Sequence, residues 1–233
     1  MRKIITPMKK IISPKSLGLI GLSLTICVVS ALLYAIISKD YGWLLIIWNC
    51  FLAVLPLCFA LIARFSGSVG RQKTCAVFYM LWLLFFPNSP YMLTDLKYLC
   101  LFEESRWLNF STVNANVQCW LFLGSVAVCA ACGVGYGFAS LYVVHRELIK
   151  KMGILPSAGI ITAVAAVSSF GIYIGRFPRL NSWDILRPWF LLEKTIESMT
   201  PFTLFFTVFF TLLILSLYAL FYLFCRLLLQ RAQ

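Results

Sequence analysis

The chain of 233 residues is 61% hydrophobic and only 12% charged, with a mean hydropathy of +0.90. Because a soluble domain is about 45–50% apolar and about 25% charged, this composition excludes an ordinary soluble protein and predicts a membrane protein in a lipid bilayer. The net charge of +12 does not indicate a nucleic-acid partner, since most basic residues flank apolar segments, where they are typical of membrane anchors.

Six apolar segments predict an all-α integral membrane protein, a bundle of about six transmembrane helices that forms one polytopic domain over residues 1–233. Five segments are long enough to cross a hydrocarbon core of about 30 Å at about 1.5 Å per residue. The first segment follows a basic stretch, but its 22 residues exceed a typical signal-peptide core, so we expect it to remain as a helix. The segments are 17–38, 41–63, 74–86, 117–144, 157–175 and 202–225.

The distribution of lysine and arginine predicts that both termini are cytoplasmic. With the N-terminus inside, the inner connections carry 13 basic residues and the outer connections carry seven. In this topology every acidic residue except Glu147 falls on the outer side. We therefore expect any polar site to face outward.

The third segment has only 13 residues before the stretch PNSPYMLTDL begins at Pro87. Pro87 and Pro90 lack a backbone N–H and disfavour helix in the preceding residue, so they predict a helix end near Phe86 and short helices on the outer side. Thirteen helical residues rise only about 20 Å. Unless the helix continues past the prolines, the polar residues therefore lie at the outer membrane depth, where Asn88 and Ser89 can bond the freed carbonyls.

A helix that restarts at Pro90 carries a polar face. Tyr91, Thr94, Asp95 and Tyr98 follow at a spacing that places them on one side. An ionisable group near membrane depth needs a partner, which favours a site. The alternative is an interfacial helix with tyrosine anchors and a solvated aspartate.

A second polar stretch follows the fifth apolar segment on the same side. Gly171 and Gly175 are four residues apart, which predicts close packing of this helix, and Arg176 leaves the span directly afterwards. Arg176 by itself is typical of a snorkelling anchor, but four basic residues in an outer loop oppose the usual charge bias. They predict pairing with an aspartate or binding of an anionic group. The polar residues after Arg176 are Arg179, Asn181, Ser182, Asp184 and Arg187.

The two motifs WLLFFPNSPYMLTDL and GRFPRLNSWDIL carry a resemblance when they occur together. The chain resembles a family of small bacterial polytopic membrane proteins that is catalogued as a domain of unknown function. The resemblance implies an integral protein of the cell inner (plasma) membrane. It implies no established activity, cofactor or catalytic residue.

The first functional hypothesis is an outward-facing membrane enzyme or binding protein for a lipid-linked or anionic substrate. Asp95 and Asp184 would be the catalytic pair, as general acid and base or as ligands of a divalent cation. Arg176 and Arg179 would hold the charged group of the substrate. The residues expected to orient the substrate are Asn88, Tyr91 and Asn181.

Two alternatives stay open at this point. The chain is also consistent with an accessory subunit whose outer loops dock another envelope protein, or with a small permease that uses the broken third helix as a path. The near absence of ionisable residues in the middle of the other spans is unfavourable to a permease. The sequence assigns no cofactor and no metal site.

Three local patterns are interpreted as helix packing or interfacial residues. The stretch GVGYG at 133–137 resembles a potassium-channel filter, but it lacks the threonine and a preceding pore helix, so its glycines predict close helix contact. Cys129 and Cys132 lie in an apolar stretch without histidine or acidic residues, so we expect small packing residues. His145, the only histidine, is expected at the cytoplasmic interface.

Overall fold

The computed structural model describes residues 14–98, 117–180, 184 and 186–231, and in these ranges the chain forms helices and turns without a β-strand. Asn181, a predicted substrate-binding residue, lies outside the described residues. Two 3₁₀ segments, Tyr41–Leu44 and Met92–Leu96, accompany the α-helices. The α-helices are α1 Pro14–Ser38, α2 Leu45–Ser68, α3 Gln72–Phe85, α4 Asn88–Tyr91, α5 Val117–Met152, α6 Ile154–Arg176, α7 Pro188–Glu197 and α8 Pro201–Arg231.

Within the described ranges, six helical stretches are long and apolar enough to cross a membrane. They confirm the predicted all-α membrane bundle and match the six predicted segments in order. We call the end of the bundle at which α1, the third stretch and α6 finish the site end. The stretches are Gly18–Ser38, Tyr41–Ser68, Gln72–Leu96, Val117–Met152, Ile154–Arg176 and Pro201–Leu228.

The third stretch is divided at the prolines, as predicted, but it is not too short to cross. The helix α3 ends at Phe85, and Phe86 and Pro87 keep right-handed helical angles (φ −54° and −56°), so the helical path continues through α4 and the 3₁₀ segment. A proline is tolerated near the start of a new helix, where its missing N–H is not needed. The 25 residues of Gln72–Leu96 rise about 37 Å, which exceeds the hydrocarbon thickness.

The polar side chains at this break satisfy backbone carbonyls. The Asn88 amide donates to the carbonyl of Phe85 at 3.0 Å, as predicted. The hydroxyl of Ser89 instead donates to the carbonyl of Ala53 in α2 at 2.7 Å. The break is therefore bonded both to its own helix and to its neighbour, which holds the following 3₁₀ segment in place.

The long helix α5 is the centre of the bundle, because it packs against α1, α2, α6 and the α4–3₁₀ region. Its GVGYG stretch makes the close contacts expected of packing glycines. A Cβ on Gly133 would lie 2.5 Å from Cγ of Met92, and a Cβ on Gly137 would lie 2.6 Å from Cβ of Ser89. The absence of a side chain at both glycines therefore lets the divided third stretch pack closely against α5.

We expect Gly137→Ala to destabilise the protein by about 1–3 kcal/mol, since the added methyl group forces Ser89 away from α5. Gly135→Ala is the matched control, because a Cβ at Gly135 meets no heavy atom within 4 Å. The measurement is the unfolding midpoint of each purified variant in a mild detergent titrated with SDS. Equal midpoints for the two variants would contradict the packing role.

Candidate functional site

A buried ion pair joins the two polar stretches at the site end. Arg176, the last residue of α6, donates from Nη1 to Oδ1 of Asp95 in the 3₁₀ segment Met92–Leu96, at 3.1 Å. Their side chains are only 7% and 4% exposed. Because burial of two charges is favourable only with close geometry and additional hydrogen bonds, the surroundings of the pair decide its stability.

The polar face predicted after Pro90 supplies those surroundings to Arg176. The hydroxyl of Tyr91 and the backbone carbonyl of Thr94 each accept a hydrogen bond from the guanidinium, both at 3.1 Å. The rings of Tyr91 and Tyr98 lie 5.5 and 4.9 Å from its central carbon, within cation–π range. All four residues of the predicted face, including Asp95, thus contact one arginine.

One contact of the pair and one unbonded donor were not predicted from the sequence. The amide of Asn49 in α2 lies 3.4 Å from Oδ2 of Asp95 and donates to it. The available signal was a single amide inside the apolar run LIIWNCFL, since a polar side chain within a span usually has a partner. Nε of Arg176 is buried and has no acceptor among the described residues, so its N–H is an unused donor.

Close approach of α6 to the broken third stretch brings the ion pair together. A Cβ on Gly171 would lie 3.3 Å from Cγ of Pro87, and one on Gly175 would lie 3.6 Å from the ring of Tyr91. The two glycines therefore pack as predicted for a pair of small residues four positions apart. Their contact faces place Arg176 directly over the 3₁₀ segment.

The ion pair lines a cavity of about 540 Å³, which we call the aromatic cavity. Six of its thirteen lining residues are aromatic, and Asp40 and Asn49 add polar groups to the wall. Trp43 is held in the wall by a hydrogen bond from its indole Nε1 to Oγ of Ser125, at 2.9 Å. The aromatic residues of the lining are Tyr34, Trp43, Trp48, Tyr91, Tyr98 and Phe122.

A second cavity of about 570 Å³ adjoins the first, and we call it the apolar cavity. Trp48, Asn49 and Tyr91 line both cavities, so the two spaces share a wall. The apolar cavity lies between α2, α3 and α6, and its lining includes the exposed side chains of Met80 and Val167. Exposed apolar side chains on spanning helices face lipid, so this cavity is open toward the bilayer. Its lining also contains Asn88.

Of the other predicted site residues that the structure describes, Asp184 and Arg179 do not line either cavity. Asp184 is half-buried and lies outside the lining of both, and its carbonyl accepts a hydrogen bond from the amide of Arg187 at 2.8 Å. Arg179 is exposed, with a left-handed φ of 59°. The joint role predicted for Asp95 and Asp184 stays a prediction.

Lys97 brings a further positive charge close to the ion pair. Partial desolvation lowers the pKa of Lys97, and the positive charges of Arg176 and Arg179 lower it further, while Asp95 acts in the opposite sense. Lys97 is therefore within electrostatic range of both arginines, while two carboxylates, Asp40 and Asp95, line the cavity itself. An anion near Lys97 would relieve the repulsion between these positive charges.

The fold is that of a multi-pass helical membrane protein, with a buried ion pair and two adjoining cavities at one end of the bundle. The family model described as "protein of unknown function (DUF1361)" matches residues 48–217, which include Asn49, Asp95 and Arg176. The chain belongs to this family, in agreement with the resemblance carried by its two motifs. No curated protein and no solved structure matched the chain.

Proposed function

We propose that this protein binds a lipid-linked anionic substrate at the outer face of the bacterial inner membrane. The head group would occupy the aromatic cavity and the apolar chain would occupy the apolar cavity. The observation that carries this proposal is the shared wall, since Trp48, Asn49 and Tyr91 line both a charged, aromatic space and an apolar space open toward lipid.

Charge supports an anionic head group. Arg176 is held in the wall by Asp95 and Tyr91, and a planar guanidinium in fixed orientation suits phosphate or carboxylate. Lys97 adds positive charge within electrostatic range of Arg176 and Arg179. Aromatic walls supply contact area for the part of the head group that is not charged.

Within this proposal Asp95 is the carboxylate placed to act on the head group, as a general acid, a general base or a cation ligand. Its bonds to Arg176 and Asn49 support a positioning role as well. A role for Asp184 requires movement of the segment after α6 toward the cavity, because Asp184 lies outside its lining. We therefore propose binding as the primary function of the site.

Binding of a polyprenyl phosphate by the purified protein in detergent tests the proposal. We expect it to bind at least about tenfold more tightly than the polyprenol of the same chain length, because only the phosphate can use the guanidinium. The double variant Asp95→Leu/Arg176→Met should lose this preference. Arg64→Met, at the opposite end of α2 from Asn49, is the control and should retain it.

Two results would overturn the proposal. Equal affinity for the phosphate and the alcohol would show that the protein does not recognise an anionic head group. An unchanged preference in the double variant would show that the phosphate binds away from Asp95 and Arg176. The measurement is the ligand-dependent shift in unfolding temperature, confirmed by native mass spectrometry of the complex.

A second candidate function is an accessory subunit of an envelope complex, and α7 supports it. Trp189, Leu192 and Ile196 share one face of this helix and are exposed, Trp189 by 81%. An exposed apolar face marks a contact with protein or with the membrane surface. A photo-reactive residue at Trp189 distinguishes the two, because a docking helix would crosslink to one stoichiometric protein and an interfacial helix only to lipid.

A further inference from the structure

Three cysteines from three different helices meet inside the bundle. Cys27 of α1, Cys50 of α2 and Cys129 of α5 have Sγ atoms that all lie within 4.8 Å of one another. Each residue is at most 3% exposed. The three cysteines are far apart in the sequence. The sequence predicted only that Cys129 and Cys132 are packing residues.

The cluster lies near the middle of the membrane. Counted from the site end, Cys27 is 11 residues before Ser38, Cys50 is 9 residues after Tyr41, and Cys129 is 12 residues after Val117. At about 1.5 Å per residue these counts correspond to about 17, 14 and 18 Å for Cys27, Cys50 and Cys129, roughly half of a 30 Å core. Three independent helices thus give the same depth.

The sulfur spacing fits a metal ion better than a disulfide. Three sulfurs at about 2.3 Å from a central ion, in a plane, are about 4.0 Å apart, so the observed spacing requires a contraction of less than about 1 Å. A disulfide needs about 2.0 Å between two sulfurs and leaves the third thiol unused. All three residues are free thiols in the structure.

The ligand set selects a soft ion. The group consists of thiols alone among the described residues, and the buried thioether residue Met92 packs in the same hydrophobic cluster. Thiol and thioether ligands favour Cu(I), whereas structural Zn²⁺ prefers four ligands in a tetrahedron.

We propose that Cys27, Cys50 and Cys129 form a binding site for a monovalent soft metal ion of the Cu(I) class at the centre of the bundle. Binding forms three metal–sulfur bonds and breaks three S–H bonds, so it releases three protons to the solvent, with no change in the oxidation state of the ion or the sulfurs. The site is separate from the ion pair of Arg176, and its occupancy does not depend on the proposed lipid-linked substrate.

The test is an anaerobic titration of the reduced full-length protein in detergent with Cu(I), in competition with a chromogenic Cu(I) chelator. We expect one ion per chain in a sulfur-only environment of three ligands by X-ray absorption. Loss of a residue that only supports a metal ligand costs about 10–100-fold in affinity, and loss of a ligand itself costs more. We therefore expect Cys27→Ala, Cys50→Ala and Cys129→Ala each to weaken binding by at least about 100-fold. Cys75→Ala, a buried cysteine of α3 outside the cluster, should leave the affinity unchanged.

Several results would overturn the proposal. They are failure of the wild-type protein to compete with the chelator, retention of the ion by the triple alanine variant, nitrogen or oxygen ligands in the absorption spectrum, and tighter binding of Zn²⁺ than of Cu(I). The absorption spectrum is taken on the wild-type protein, so the proposal stays testable even when a cysteine variant does not fold.

Discussion

Arg176→Met should lower the stability of the protein by about 3–5 kcal/mol, because it leaves the carboxylate of Asp95 buried without its positive partner. The side chain of Asp95 is only 4% exposed, so water cannot replace the guanidinium without opening the packing of α6 on the 3₁₀ segment. Asn49 provides a single weak amide donor at 3.4 Å, which is too little to compensate. The unfolding midpoint in SDS-titrated detergent measures the effect.

The double variant Asp95→Leu/Arg176→Met should recover most of that loss. Replacement of both partners of a buried ion pair by apolar side chains is often neutral or stabilising, because neither charge then has to be desolvated. Arg179→Met is the matched control, since this exposed arginine lies three residues from Arg176 and its loss should change stability by less than about 0.5 kcal/mol. A single variant as stable as wild type would show that the ion pair contributes nothing to the fold.

The same double variant separates the two roles of the pair. A protein that folds normally but no longer prefers a phosphate head group would assign Arg176 to binding as well as to structure. If folding is restored and the phosphate preference is also kept, then the ion pair is structural and the substrate charge is recognised by other residues. Stability and binding therefore have to be measured on the same preparations.

A reporter at the site end should be exported, and reporters at the opposite end should not. We expect alkaline phosphatase fused after Arg187 to be active, and the same enzyme fused after Gly153 to be inactive. The physical reason is the excess of lysine and arginine on the connections at the end opposite the site.

A green fluorescent protein fused after Arg231 tests the other end of the bundle. We expect it to fluoresce, because this protein becomes fluorescent only in the cytoplasm. Activity of the phosphatase after Gly153 with inactivity after Arg187 would invert the topology. The cavities would then face the cytoplasm, and the proposal of an outward-facing site would fail even with its geometry intact.

The local features of the site followed from the sequence because they depend on one helix at a time. Two prolines placed the division of the third span, and helical spacing put Tyr91, Asp95 and Tyr98 on one face. Excess arginine after the fifth segment predicted a partner for Arg176, and Asp95 was one of the two candidates named. Apart from that pairing, each inference used only residues within about one or two turns of each other.

The remaining parts of the site depend on how the helices are rotated against each other. Asn49 is 46 residues from Asp95 in the chain, and Arg176 is 81 residues from it. Whether such side chains meet depends on helix crossing and on close contact at Gly133, Gly137 and Gly175, which hydropathy does not describe.

By itself the sequence determined the class of protein, the number and order of spans, the division at Pro87 and the polar face that contains Asp95. Those properties follow from composition and from short-range periodicity, which are local along the chain. Only the tertiary structure decided that two cavities share a wall, that Asp184 lies outside them, and that three cysteines meet at mid-membrane depth. These depend on the packing of helices far apart in sequence, where a rotation of one residue, about 100°, would turn the same side chains toward lipid.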